Sequence, residues 1–190
     1  DLFTSLTAIP LSTIRGCINA ERKKRCSFCT LDHKLTIMDP DLVWAQIDLL
    51  NDWYGVESVL DSSDTFIVGK YPENLLAARP KHLEDISITR IFATPDQITS
   101  ERAEVLRNLN VQCVFMGVES YDNGILQRIG KPYTTADVDQ AVQILSDFGI
   151  QLHVPFMYGL PGETADTLQQ TYAYAQKVVA EHPETILLTS

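Results

Sequence analysis

The chain of 190 residues lacks any apolar run long enough to span a bilayer. Its first residues lack the charged-then-apolar pattern of a signal peptide, and neither an internal repeat nor a low-complexity tract interrupts it. Basic residues are scarce, 15 Lys and Arg against 25 Asp and Glu, for a formal net charge of −10. Nucleic-acid backbones and anionic lipid surfaces are negative too, so this balance argues against broad binding to either and leaves room only for a local basic patch. Cysteine is also scarce: there are four, and three crowd into one loop with no fourth in reach. Clustered, unpaired thiols suit a reducing compartment, and the cytoplasm is the expected location. An initiating Met is absent and the chain stops inside the apolar run Ile186-Leu187-Leu188, so a piece of a longer protein, with partner domains missing, is expected.

Hydrophobic residues make up 45% of the chain, enough for one substantial core, and residues 1–190 are expected to form one domain. Asp39 suits a cap and Pro40 a first helical position, while Val43, Ile47 and Leu50 share a face; this predicts a helix from Asp39 to Trp53 stopped by Gly55. A strand over 58–60 ends in Asp61-Ser62-Ser63-Asp64, a short helical stretch lies near Leu75 to Arg79, and Ile86 to Phe92 reads as the next strand. Thr99 or Ser100 caps a helix to Leu109, and Val111 to Val118 is a strand ending at Glu119-Ser120. Thr134 opens a helix whose Val138, Ala141, Val142, Leu145 and Phe148 form an apolar stripe before Gly149. The strand Ile150 to Tyr158 then runs into Gly159-Leu160-Pro161-Gly162-Glu163-Thr164 and a helix to about Ala180.

This alternation, with near-continuous apolar strands, predicts an α/β fold: a parallel sheet covered by helices, as an open doubly wound sheet or a barrel. In barrels the chemistry collects at the C-terminal ends of strands. The cysteine loop, Asp61 to Asp64, Glu119-Ser120 and the Gly159 turn all fall there, so four separated segments are expected to converge on one mouth.

Cys17, Cys26 and Cys29 are spaced C-x8-C-x2-C. Three thiolates leave one iron of an iron–sulfur cluster open to a substrate or cofactor, whereas four close it. A zinc reading competes, because His33 follows at a distance that would complete a Cys3His site in a non-catalytic module binding RNA or protein. The acidic balance and the large patterned domain around the loop weigh against such a module. Cys113, within an apolar strand, reads as buried and inert.

Taken in order, Arg15-Gly16-Cys17, Cys26-Ser27-Phe28-Cys29, Phe115-Met116-Gly117-Val118-Glu119-Ser120 and Tyr158-Gly159-Leu160-Pro161-Gly162-Glu163-Thr164 resemble the radical S-adenosylmethionine (SAM) superfamily over almost the whole chain. The loop departs from the commonest family spacing, C-x3-C-x2-C, by five inserted residues. The resemblance implies a partial (β/α)6 TIM-like barrel, truncated at its C-terminus. It implies a 4Fe-4S cluster whose open iron chelates SAM, a small-molecule cofactor; one electron cleaves the C–S bond, and the 5′-deoxyadenosyl radical takes hydrogen from a substrate that the motifs do not name. The motifs look closest to the cobalamin-linked and methylthiotransferase-like branches, with cobalamin supplied through a domain not present here.

Roles follow from the resemblance by motif position. Cys17, Cys26 and Cys29 would ligate the cluster, with Phe28 packed beside it near the adenine. Asp61, Ser62 and Ser63 would accept hydrogen bonds from the methionine ammonium. Glu119, with Ser120, would contact the cofactor, and Lys131, twelve residues after Glu119, would meet the methionine carboxylate. Gly159 and Pro161 would form a tight turn beside the adenosine. Some branches hold the ribose with an Asp at the position of Pro155, for which His153 or Tyr158 would substitute. No catalytic residue beyond these is nominated. The inserted segment Ile18 to Arg25 carries Arg22, Lys23, Lys24 and Arg25, a positive patch suited to an acidic electron donor such as a flavodoxin or ferredoxin.

Overall fold

The computed structural model describes residues 8–21, 25–31 and 34–189. The elements are β1 (Ala8–Leu11), β2 (Ile14–Arg15), α1 (Ile18–Glu21), β3 (Thr36–Ile37), α2 (Pro40–Tyr54), β4 (Ser58–Asp61), α3 (Tyr71–Ala77), β5 (Ser87–Ala93), α4 (Ser100–Asn108), β6 (Cys113–Met116), α5 (Asn123–Arg128), α6 (Thr135–Asp147), β7 (Gln151–Phe156), α7 (Ala165–Glu181) and β8 (Ile186–Thr189). Six strands form one parallel sheet in the order β1-β4-β5-β6-β7-β8. A doubly wound sheet reverses its strand order at a switch point. Here the order never reverses, and β1 and β8 remain edges, as in a partial, unclosed barrel.

Helix boundaries follow local chemistry. Asp39 Oδ1 accepts from Asp41 N at the start of α2, which ends at Gly55. Thr99, Thr134 and Thr164 cap α4, α6 and α7 through their side chains. Trp44 is buried on α2, and its Nε1 donates to Leu75 O at 2.7 Å, so the indole enters the core with its one donor satisfied.

Register sorts the strand side chains into two faces. Val59, Ile91, Val114, Met116, Leu152, Val154 and Phe156 point into the helix-covered core and are all buried. On the other face, of the aligned residues Pro10, Leu60 and Arg90 the first is exposed and the other two half-buried, and the row Phe92, Phe115 and His153 is half-buried. The expectation of a sheet covered by helices therefore holds for one face, and the opposite face lines the open interior of the half-barrel.

Candidate functional site

The three-cysteine loop rises from the C-terminal end of β1 and is closed at its base by a two-residue antiparallel ladder, Ile14 with Ile37 and Arg15 with Thr36. Gly16 N donates to Asp64 Oδ2 at 2.7 Å, fixing the backbone immediately before Cys17. Ser27 N donates to Ile129 O, and Cys29 N to Cys26 O. Gly130, at φ +80, is what lets the loop lie this close, since a Cβ there would come within 3.2 Å of Arg25 O.

Cys17, Cys26 and Cys29 are free and half-buried, and all three line one cleft of about 430 Å³. Among the described residues no three His, Cys, Asp or Glu side chains close around a single point. The charges of Cys17 and Cys29 both act on Cys26, so the three thiols share one electrostatic neighbourhood. His33, which the zinc alternative needs, lies outside the described residues, as do Arg22, Lys23 and Lys24. Burial pushes the Cys26 thiol up and Lys131 draws it down. Cys113 lies outside the cleft, buried in β6, its thiol pushed up to about 11 by burial.

Facing the cysteines, Glu119 Oε1 accepts from Lys131 Nζ at 2.8 Å, with 11% and 7% of their side chains exposed. Glu119 takes a positive φ of 65, uncommon for a side chain of this size. Its N donates to Pro155 O and its O accepts from Met157 N, so the strand next door holds the turn. Gly117 makes room, because a Cβ there would stand 2.9 Å from Glu119 Oε1. Tyr133 donates its hydroxyl to Gly117 O, and burial pushes its phenol well above the ordinary value. Lys131 Nζ lies 5.2 Å from the Phe28 ring centre and 5.7 Å from that of Tyr133.

The strand-end nominees are not all gathered here. Asp61, Ser62 and Ser63 do not line the cleft. Asp61 points with Val59 toward the helix side, where its Oδ2 accepts from Thr13 Oγ1 at 2.7 Å and its Oδ1 from Ser63 N at 2.8 Å. Ser63 Oγ accepts from Thr13 N and Ile14 N, while Ser62 N donates to Leu11 O. Burial raises the Asp61 pKa against these hydrogen bonds. Ser120 is fully buried against Thr171 of α7. Gly159 N donates to Glu163 Oε2, and neither Gly159 nor Pro161 lines the cleft. Tyr158 is exposed, and His153 sits on the inner face of β7.

Several cleft residues carry no role in the sequence reading. Asp64 is the last member of the acidic run, one step beyond those nominated. Thr94, Asp96 and Gln97 form the wall after β5, built on a capping box from Thr94 to Gln97. The same strand-end rule, applied to the Thr-Pro-Asp-Gln stretch, would have found them. Phe92 and Phe115, centroids 4.8 Å apart, also line the cleft.

The family model described as Radical SAM superfamily matches residues 11–175. Among curated proteins, the heme chaperone HemW of Bacillus subtilis (strain 168) is 26% identical over 134 residues, 64% of this chain and 35% of that protein. The uncharacterized methyltransferase PH0819 of Pyrococcus horikoshii is 25% identical over 145 residues, 76% of this chain and 31% of that one. Among solved structures, the radical SAM methyltransferase TsrM from Kitasatospora setae superposes with a TM-score of 0.78 at 19% identity, over 93% of this chain and 35% of that chain. The chain thus spans about a third of each of these relatives.

Proposed function

The chain belongs to the Radical SAM superfamily, and on that premise we propose that residues 1–190 are a catalytic core that holds a 4Fe-4S cluster on Cys17, Cys26 and Cys29 and cleaves SAM reductively. The observation that carries this reading is the placement of three free, half-buried thiols along one cleft, opposite a buried Glu119–Lys131 ion pair. When bound, the cluster supplies the electron that breaks the C–S bond of SAM, starting radical chemistry on a substrate.

The chain's own residues bind and orient. The amino-acid end of SAM is a zwitterion, and the Glu119–Lys131 pair is its charge complement. Lys131 turns to the carboxylate and Glu119 accepts from the ammonium, so each buried charge exchanges one partner for another without being stranded. Phe28 over Lys131 and the Phe92–Phe115 floor keep water from the reacting end. Free thiols and a cluster suit a reducing cytoplasm, and no helix among the described residues is long and apolar enough to cross a membrane.

Methyl transfer with cobalamin is the finer reading we propose. It is supported by the TsrM structure with cobalamin and a [4Fe-4S] cluster bound, and by the description of PH0819 as a methyltransferase. The electron would come from an acidic flavodoxin or ferredoxin.

Anaerobic reconstitution followed by iron and sulfide analysis tests the core proposal. About four irons with matching sulfide are expected, together with 5′-deoxyadenosine release under reduction. Ala at Cys17, Cys26 or Cys29 should abolish stable iron, and Cys113→Ala should not. Equal iron in all four variants, or one tightly held zinc in the wild type, would sink the proposal.

A further inference from the structure

Beneath the cleft, the inner face of the sheet carries a cation that no carboxylate among the described residues neutralises. Arg90 of β5 stands beside Leu60 and one inward step below Phe92. Its guanidinium carbon lies 5.3 Å from the Phe92 ring centre and 5.8 Å from that of Phe115, the two rings that also line the cleft above. Arg90 Nε is buried without a hydrogen-bond partner, and no carboxylate pairs with the side chain among the described residues. His153, in register with Phe115 on the next strand, likewise buries Nε2 without a partner. The inward residues of the central strands, Leu60, Arg90, Phe92, Cys113, Phe115, Gln151 and His153, include no Asp or Glu.

A buried guanidinium Nε–H left without an acceptor is costly, and in a protein of net charge −10 carboxylates are not in short supply. The guanidinium lies over two aromatic rings, and its fork of donors suits a bidentate anion. Burial and Arg90 hold the His153 imidazole below its ordinary pKa, so the ring is neutral at pH 7 and leaves the positive charge of this face to Arg90.

We propose that Arg90, with His153 beside it, is a recognition site for the acidic group, carboxylate or phosphate monoester, of a substrate that enters the half-barrel interior below the cleft. This deepens the proposed function and rests on it for the identity of the bound molecule as substrate, but the anion site itself stands on Arg90 and His153 alone. The acidic group would supply the missing acceptor to Arg90 Nε and a partner to His153 Nε2, and would point the remainder of the substrate up past Phe92 and Phe115 toward the cysteines.

The test follows the Arg90 Nε–H and His153 ring signals by NMR as inorganic phosphate is added in one arm and propionate in the other, at constant ionic strength. It uses the protein both before and after cluster reconstitution. Saturable shifts of both signals are expected. Arg90→Lys should weaken the tighter-binding probe at least tenfold and Arg90→Met abolish its effect, with folding checked by circular dichroism. The arm that saturates at lower concentration tells phosphate from carboxylate. Absence of saturation in both arms, or an unchanged response in folded Arg90→Met, overturns the proposal; if neither variant folds, the wild-type shifts decide. Because the titration reads no SAM cleavage, it can succeed where cluster assembly fails, and iron content with 5′-deoxyadenosine release can succeed where it fails.

Discussion

Asp61 and Glu119 are two carboxylates at or just past the C-terminal ends of parallel strands, both nearly inaccessible, and they are held in opposite ways. Asp61 is met by neutral donors, Thr13 Oγ1 from the segment before the cysteine loop and Ser63 N two residues on. Glu119 is met by a full positive charge from a residue twelve positions on. Neutral donors leave a carboxylate no charge to exchange, and because Thr13 belongs to the segment that leads into the cysteine loop, Asp61 acts as a latch on the base of that loop. An ion pair facing a cleft can trade partners with a charged ligand, and Glu119 with Lys131 lines the cleft. Position at a strand end thus selects candidates, while the kind of partner tells a latch from a binding group.

The largest effect belongs to the pair. Lys131→Met leaves Glu119 buried and uncompensated, a loss of about 3–5 kcal/mol, whereas removing both charges as Glu119→Gln with Lys131→Met should restore most of it. Urea unfolding of the cluster-free chain measures both. In the reconstituted protein the doubly substituted form should bind SAM weakly by calorimetry, because each lost charge-assisted contact contributes roughly 1.5–3 kcal/mol. Stability lost equally in both variants, with affinity kept, would make the pair a latch like Asp61 and break the contrast.

Next in size is Asp61→Ala, which strands the Thr13 hydroxyl and Ser63 N without their acceptor and should cost about 1–3 kcal/mol. Asp61→Asn keeps one acceptor and should cost less. A variant as stable as the wild type that binds SAM poorly would instead return Asp61 to the cofactor role its motif position implies.

Much of this contrast was out of reach of sequence, and for identifiable reasons. Element order was legible because caps and periodicity are local: α2 appears at Pro40–Tyr54 against an expected Asp39 to Trp53, and Thr99 and Thr134 cap as read. The strand expected over Val111 to Val118 keeps a ladder only at Cys113–Met116, with Val111 and Glu119 attached by isolated bridges to Ile88 and Phe156 as the neighbouring strands diverge. Helix α5 was missed because six residues containing Gly124 show no period, although Asp122 caps it. Helix α3 begins at Tyr71, well before the stretch expected near Leu75 to Arg79, and Pro72 in its first turn was the overlooked signal. The cysteines and Glu119 carry motif spacing, so they could be nominated. The turn of Asp61 toward the helix side depends on strand parity shared with Val59, and the nearness of Lys131 to Phe28 depends on how two loops pack; neither is written in a short motif.

The smallest effect, and the finest test of the contrast, is pH dependence. Burial is the largest influence on Asp61 and raises its pKa above the ordinary 3.8, outweighing the hydrogen bonds from Ser63 and Thr13. A folded state that holds its proton more tightly than the unfolded chain binds more protons across that interval, so the contribution of Asp61 to stability falls as pH rises through the folded value. It is fully present below the unfolded value and flat again once the folded group is ionised. Subtracting the unfolding free energy of Asp61→Asn from that of the wild type at each pH removes the titration of every other group common to both. The difference should decline from the acid side toward neutrality and then level off. A difference that grows with pH would mean that the donors of Thr13 and Ser63 stabilise the charged form more than burial penalises it. Asp61 would then be a stabilised anion poised like Glu119 rather than a latch, and the distinction between the two strand ends would collapse.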